Sequence, residues 1–358
     1  MTKYFAPIAW ALLTLHPLSG QLDYTRVNNH LPPLLDSLDS RVRAGDYEAI
    51  TSILIARHGE VRYEKYYNGA DVNAGHNTRS ATKTIATLLT GLAIREGYVQ
   101  SEQDYVKDYL GLKWPVKNPD ARKDSITLED LLTMSSVLEC NDQNPYSRGN
   151  EERMYPIEDW TQFLLDLPVR SYPWGPPPEE RPYGRAWSYC TAGAAAMAAV
   201  VESAVGQPAH EFAQQYLLEP LGITDYRHHF SPQGTLNTAG GSEYRSRDFL
   251  KLIQLCLQGG VWEGQRIIPA DWLKKATTPK AEVEPGVEYG YLFWLESFGA
   301  TAKYPTFYMS GNGGQKIVAV PDLDLAVVIT TTNYNKRNAH PYTDEILNQY
   351  VIPAMAEE

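Results

Sequence analysis

Ser80-Ala81-Thr82-Lys83, followed by the apolar run Thr84-Ile85-Ala86-Thr87-Leu88-Leu89-Thr90-Gly91-Leu92-Ala93-Ile94, is the stretch on which the reading of this chain turns. A serine and a lysine three apart at the start of a helix share one face, so the amine reaches the hydroxyl and can take its proton. Ile85, Leu88, Leu89 and Leu92 recur at helical spacing in a segment apolar on most sides, which predicts a buried helix. A lysine at its mouth is partly desolvated; that disfavours the charged form and suits the amine to act as a base. Alone, the four residues also fit an ordinary helix start, with Thr78 or Ser80 as cap and Lys83 in water.

Three surrounding features argue for the chemical reading. Ile53-Leu54-Ile55-Ala56, the turn His58-Gly59 and residues 61–67 predict two strands around a tight turn, with the Ser80 helix a loop further on. At Tyr189-Cys190-Thr191-Ala192-Gly193, the extended Ala186-Trp187-Ser188 runs into an alanine-rich helix over 193–201, which sets Tyr189 at a loop-to-helix junction. Taken by itself, Tyr189 reads as a core aromatic. Ser310-Gly311-Asn312-Gly313-Gly314-Gln315 leads into two further strand patterns, either as a flexible loop or as a strand edge stripped of side chains so that substrate can approach the backbone.

Together, in this order, the three resemble the serine β-lactamase and penicillin-binding-protein superfamily, and within it the class C β-lactamase-related serine hydrolases. Leu131 to Ser136, Pro220-Leu221-Gly222-Ile223, Arg247-Asp248 and Val261-Trp262 look like further landmarks, and the resemblance runs from about Leu35 to near Ile352. It implies an α+β fold of the β-lactamase/DD-peptidase type. An antiparallel sheet flanked by helices is expected from residues 34–95 and 235–358, an all-helical domain from 96–234, and the active site in the cleft between them. The resemblance implies Ser80 as acylated nucleophile, Lys83 as base or proton relay, and Tyr189 as the group that assists acylation and activates the deacylating water. Asn312-Gly313-Gly314 falls where the family carries K-T-G or H-x-G, and the backbone N–H groups of Ser80 and Gln315 become the expected oxyanion hole.

Two positions depart from that pattern. Thr191 stands where the family places an asparagine that positions the acyl amide of a β-lactam, and Asn312 replaces a lysine or histidine. A neutral donor in place of a cation gives up roughly 1–2 kcal/mol of charge-assisted bonding to a substrate carboxylate. Esters and neutral amides move up as substrates.

Other chemistries find no support. No G-x-S-x-G surrounds any serine, the eight histidines form no H-x-x-x-H pair, and no metal site is predicted. No phosphate-binding G-x-x-x-x-G-K-[ST] occurs, Gly240-Gly241 reads as a turn before the helix carrying Asp248, and no cofactor is called for. A net charge of −11 disfavours nucleic acid as a partner.

Met1-Thr2-Lys3-Tyr4, the apolar residues 5–15 and the small residues up to Gly20 read as a secretory signal over 1–20, hence export to the periplasm or beyond; a docked N-terminal helix is the other reading. The stretch is too short for a membrane span, which takes about 20 apolar residues. Cys140, Cys190 and Cys256 lack metal-ligand spacing. The resemblance brings Cys140 and Cys190 near one another, so a disulfide and three buried free thiols both remain open, with Cys256 read as core.

Residues 51–67 and 289–332 carry the strand patterns, among them Tyr289 to Trp294 and Thr306 to Met309; residues 128–135, 157–167, 193–204 and 211–217 read as helices. Prolines at 168, 173, 176, 177, 178 and 182 exclude both from 168–183, which reads as a rigid surface loop or a lip over the acyl pocket. The polar residues 141–155 are placed to form the opposite wall. The sequence thus predicts a serine hydrolase that acylates Ser80 and passes the acyl group to water, on small-molecule esters or amides. The alternatives are a β-lactamase or D-alanyl-D-alanine peptidase, and a silent member that only binds acyl ligands.

Overall fold

The computed structural model describes residues 21–113, 115–171, 177–300 and 303–357; the segment read as a secretory signal lies outside them, as do residues 172–176 of the proline-rich stretch. Eight strands form one antiparallel sheet: β1 (Ile50–Arg57), β2 (Glu60–Tyr66), β3 (Ala281–Glu284), β4 (Val287–Tyr289), β5 (Trp294–Phe298), β6 (Tyr304–Gly311), β7 (Gln315–Val320) and β8 (Leu325–Thr331). Their order is β2-β1-β8-β7-β6-β5-β4-β3. The two ends of the chain meet where β1 pairs with β8, Ile53 opposite Ile329 and Ile55 opposite Val327. His58 and Gly59, both at positive φ (53° and 75°), make the two-residue turn between β1 and β2 that matches the twist of the strands.

Strands β1, β7 and β8 are almost wholly buried because both faces of the sheet are covered, which is why they read as continuous apolar runs. On one face Leu54, Ala56, Ile317, Ala319 and Val328 join the helices Thr84–Arg95, Thr191–Val205 and Ser246–Leu257 in one core that continues into the helical middle of the chain. On the other, Ile53, Ile55, Val318, Val320 and Ile329 pack against Pro33–Ala44 and the C-terminal helical segments from Ala339 to Ala356.

The Thr84–Arg95 helix is buried from Thr84 to Ala93. Its threonines stay satisfied there: Thr84 donates to the Leu292 carbonyl (3.0 Å), Thr87 to that of Tyr291 (2.7 Å) and Thr90 to that of Ala86 (2.8 Å). One expected strand is broken. Tyr289 to Trp294 splits between β4 and β5, because Gly290 packs where a Cβ would lie 2.1 Å from the Ala276 carbonyl oxygen, and the next amides bond to Ala276 and Leu132 instead of a neighbouring strand. Likewise the helix expected over 128–135 stops at Leu132, where Met134 adopts φ 51°.

Candidate active site

Ser80 stands in a 3-10 turn, Arg79–Lys83, that feeds the buried helix. In such a turn residues three apart eclipse, which sets Lys83 directly over Ser80. Its Nζ donates to Ser80 Oγ at 2.8 Å and to the Ala239 carbonyl at 2.7 Å. Lys83 is only 2% exposed, and burial pushes its pKa down to about 8, against the opposing pull of the Glu151 and Asp142 carboxylates. An amine so placed is substantially neutral under mildly alkaline conditions and can accept the serine proton.

Tyr189 completes the group. Its ring centroid lies 5.1 Å from Lys83 Nζ, and the Ser80 hydroxyl is near enough to act on its phenol. Burial raises the phenol's pKa, so it is a protonated donor at neutral pH. The following residue is tied down: Cys190 is joined to Cys140 in a disulfide (Cα–Cα 5.3 Å), which resolves the open reading of the cysteines, and Cys256 is free and buried. Asp142 clamps the same loop, donating from its N–H to the Tyr189 carbonyl (2.9 Å) and accepting from Thr191 N–H (2.7 Å) and Glu151 N–H (2.8 Å).

Four expected binding residues sit differently. Thr191 is 1% exposed at the first turn of its helix, so it cannot touch a substrate. Gln315, expected to line the oxyanion hole, is fully buried; its side chain donates to the Thr331 carbonyl (2.8 Å) and accepts from the Thr331 N–H (3.0 Å), locking β7 to β8. Gly313 and Gly314 (φ 95° and 80°) make the turn between β6 and β7, and a Cβ on Gly314 would lie 2.2 Å from the Ala339 carbonyl oxygen, away from Ser80. The glycine that meets the nucleophile is Gly311: a Cβ there would fall 1.9 Å from the Thr78 carbonyl oxygen and 3.0 Å from the Ala81 nitrogen. The stripped strand edge is therefore the end of β6. Asn312 lies on the exposed rim, exchanging hydrogen bonds with Asn335 (2.7 and 2.8 Å), and its own N–H has no acceptor among the described residues.

From Ser80 a cleft of about 480 Å³ opens between Tyr189, Trp294 and Tyr308, with Glu151 on one side and Glu296 on the other. A second hollow of about 370 Å³ adjoins Ser80 and holds Arg79, Tyr155, His229 and Tyr334. A third, of about 500 Å³, does not reach Ser80; it lies behind Cys140 and Trp187, and the described flanks of the proline-rich stretch, Pro168 to Ser171 and Arg181, border it and not the serine's cleft. The polar loop after Cys140 does form a wall, through Asp142, Gln143 and Glu151.

Sequence reasoning missed Asp142, Glu151 and Ala239. The Gly240-Gly241 pair, read as a turn, held the signal for Ala239: Gly240 and Gly241 adopt φ 156° and 88°, conformations that residues with a Cβ rarely take, and this brings the loop beside Arg79 and Ser80. Among the described residues no group of three or more metal-ligating side chains occurs, and no helix is long and apolar enough to cross a membrane.

A profile of the β-lactamase family matches residues 38–349. The chain is 26% identical over 233 residues to esterase EstB of Burkholderia gladioli, a stretch covering 59% of this chain and 54% of EstB, so the match spans about half that relative's length. The fold is shared with a Bacillus anthracis protein provisionally described as a 6-aminohexanoate-dimer hydrolase (TM-score 0.73, 14% identity, 96% of this chain and 90% of that one). It is shared too with EstCE1, a hydrolase with promiscuous acyltransferase activity (TM-score 0.66, 16% identity, 87% and 97%).

Proposed function

Since the chain belongs to the β-lactamase family, we propose that it is a serine hydrolase acting through an acyl-Ser80 intermediate on small esters or amides, with esters preferred. The observation that carries this is the 2.8 Å contact between Ser80 Oγ and a buried lysine amine whose pKa is lowered to about 8. Ser80 Oγ attacks the carbonyl carbon as its proton passes to Lys83 Nζ, and the leaving group departs with a proton relayed through the Tyr189 hydroxyl. The oxyanion meets the N–H of Ser80, at a helix start where amides lack an intrahelical acceptor, and the unpartnered N–H of Asn312 at the end of the β6 edge. Water then attacks the acyl-enzyme by the reverse proton route.

The ester preference rests on what the cleft lacks. Thr191 is buried, Asn312 is neutral, and the cleft's lysine, Lys316, is paired with Asp344 at 2.5 Å, so no free lysine waits there for a β-lactam's carboxylate. An ester's better leaving group also needs less help from an acid. The names of EstB and EstCE1 point the same way.

Intact-mass measurement after exposure to a fluorophosphonate tests the nucleophile. A single adduct on the wild type and none on Ser80→Ala is expected; an adduct on the variant overturns the assignment. Short-chain aryl esters should show clearly higher kcat/KM than a chromogenic cephalosporin, and the reverse ranking makes the protein a β-lactamase.

A further inference from the structure

The Ser80 cleft is lined by five carboxylates, Asp142, Glu151, Glu284, Glu296 and Asp344. Asp344 is neutralised by Lys316 at 2.5 Å, and His340 is held neutral by burial and by Lys316. Asp142 serves the fold, bonded to two backbone N–H groups. Glu151, Glu284 and Glu296 remain, and among the described residues none of them is in an ion pair; Glu151 accepts only from the Tyr155 hydroxyl (2.9 Å) and Glu296 only from that of Tyr308 (2.9 Å). Carboxylates of one sign along a low-dielectric wall focus a negative potential into the cleft. The second hollow differs in holding an arginine, Arg79, which offsets part of the charge of Glu151 and Glu152.

A separate feature of the cleft suits the same ligand. Trp294 lines the cleft in a cluster with Tyr189 (6.1 Å between centroids) and Tyr308 (6.4 Å), and aromatic side chains of this kind attract cations. Hydrophobic substrates would use the rings but gain nothing from the carboxylates. Anionic ones would be repelled.

We propose that the substrate of this cleft carries a positive charge: an ester or amide with an ammonium or quaternary ammonium group, held by the Glu284 and Glu296 carboxylates beside the aromatic cluster of Tyr189, Trp294 and Tyr308. The proposal rests on the serine-hydrolase reading and narrows it to a substrate class. Because Glu284 is exposed and Glu296 half-buried, the attraction acts through partly screened water and biases selection by charge without fixing one ligand.

Two ester series test it. One places the charge on the acyl side, as the p-nitrophenyl esters of 4-(trimethylammonio)butyrate, 5,5-dimethylhexanoate and 4-sulfobutyrate; the other places it on the alcohol, as acetylcholine against 3,3-dimethylbutyl acetate. In at least one series the cation should exceed its neutral counterpart by about tenfold in kcat/KM, with the sulfobutyrate slowest, and the ratio should shrink in about 0.5 M salt. Glu284→Gln, at an exposed site, and the double variant Glu284→Gln/Glu296→Gln should lower the cation-to-neutral ratio stepwise, with melting temperature as the check on folding. Equal rates for cation and neutral ester in both series, or a ratio that neither variant changes, overturns the proposal while leaving the hydrolase standing. Absence of turnover of every ester, together with no adduct on Ser80, removes the hydrolase reading and this proposal with it.

Discussion

The two walls of the cleft are built on opposite principles. The wall carrying Ser80, Lys83 and Tyr189 has a dry centre: Lys83 is 2% exposed, its amine has two acceptors, and a disulfide and the Asp142 carboxylate hold the tyrosine loop in place. The facing wall, with Glu284, Glu296 and the Asn312 rim, stays partly in water. Chemistry needs a displaced pKa, and only burial displaces it far enough. Recognition by charge needs ionised groups, and those need solvent. Substitutions on the dry wall should therefore change the rate of the chemical step, and substitutions on the wet wall the choice of substrate.

The largest effects belong to the relay. Lys83→Ala and Tyr189→Phe should each lower kcat by about two to four orders of magnitude, and the double variant should fall little further, because both serve one proton path. Losses that multiply would break the idea of a single unit. In the wild type, kcat/KM should climb with pH towards about 8 and flatten above it, as Lys83 loses its proton. The same shift has a stability consequence of definite sign. The unfolded chain, with an ordinary lysine near 10.5, binds more protons than the native one between about pH 8 and 10.5, so stability rises with pH across that window. Lys83→Met should accordingly raise the melting temperature at pH 7 while abolishing turnover.

Next come the glycines, which separate the walls within a single turn. A Cβ on Gly311 meets the Thr78 carbonyl oxygen at 1.9 Å, backbone against backbone, so Gly311→Ala should displace the Ser80 turn and lower kcat by about a hundredfold or more. Gly313→Ala at φ 95° should cost about 1–2 kcal/mol of stability, read by denaturant unfolding, with little change in kcat. Equal kinetic effects would mean that the whole hairpin, and not its β6 end, sets the site.

Removing the clamp is a smaller perturbation of rate and a larger one of stability. Cys140→Ala/Cys190→Ala should cost about 3–4 kcal/mol in reversible unfolding and lower kcat by loosening Tyr189. Unchanged kcat in the double variant would show that the Asp142 clamp suffices. The smallest effect is expected at the rim: Asn312→Ala leaves the backbone N–H in place and should alter ester kcat/KM by only about two- to fivefold.

Some of this was readable before any coordinates. The Ser80–Lys83 spacing, the buried helix behind it, the junction at Tyr189 and the two-residue hairpin at His58-Gly59 are local facts: they depend on periodicity and on backbone conformations that few residues adopt, and such facts are written in neighbouring letters. The split of the Tyr289 to Trp294 stretch was not readable, because the Ala276 carbonyl that Gly290 accommodates comes from a distant helix end. Nor was the role of Gln315, whose side chain serves a strand sixteen residues on.

What the sequence alone determined, then, is the reacting group: which hydroxyl, which amine and which phenol, since their types and order carry the chemistry. The tertiary structure decided everything that depends on who faces whom across the cleft. It joined Cys140 to Cys190, brought the Ala239 carbonyl to Lys83, put Gly311 where Gly313 and Gly314 had been expected, and turned Glu151, Glu284 and Glu296 towards one space. The reason is physical: a charge on a loop says nothing of its partners until packing has set the distances, and electrostatic effects follow distance and burial, not order along the chain.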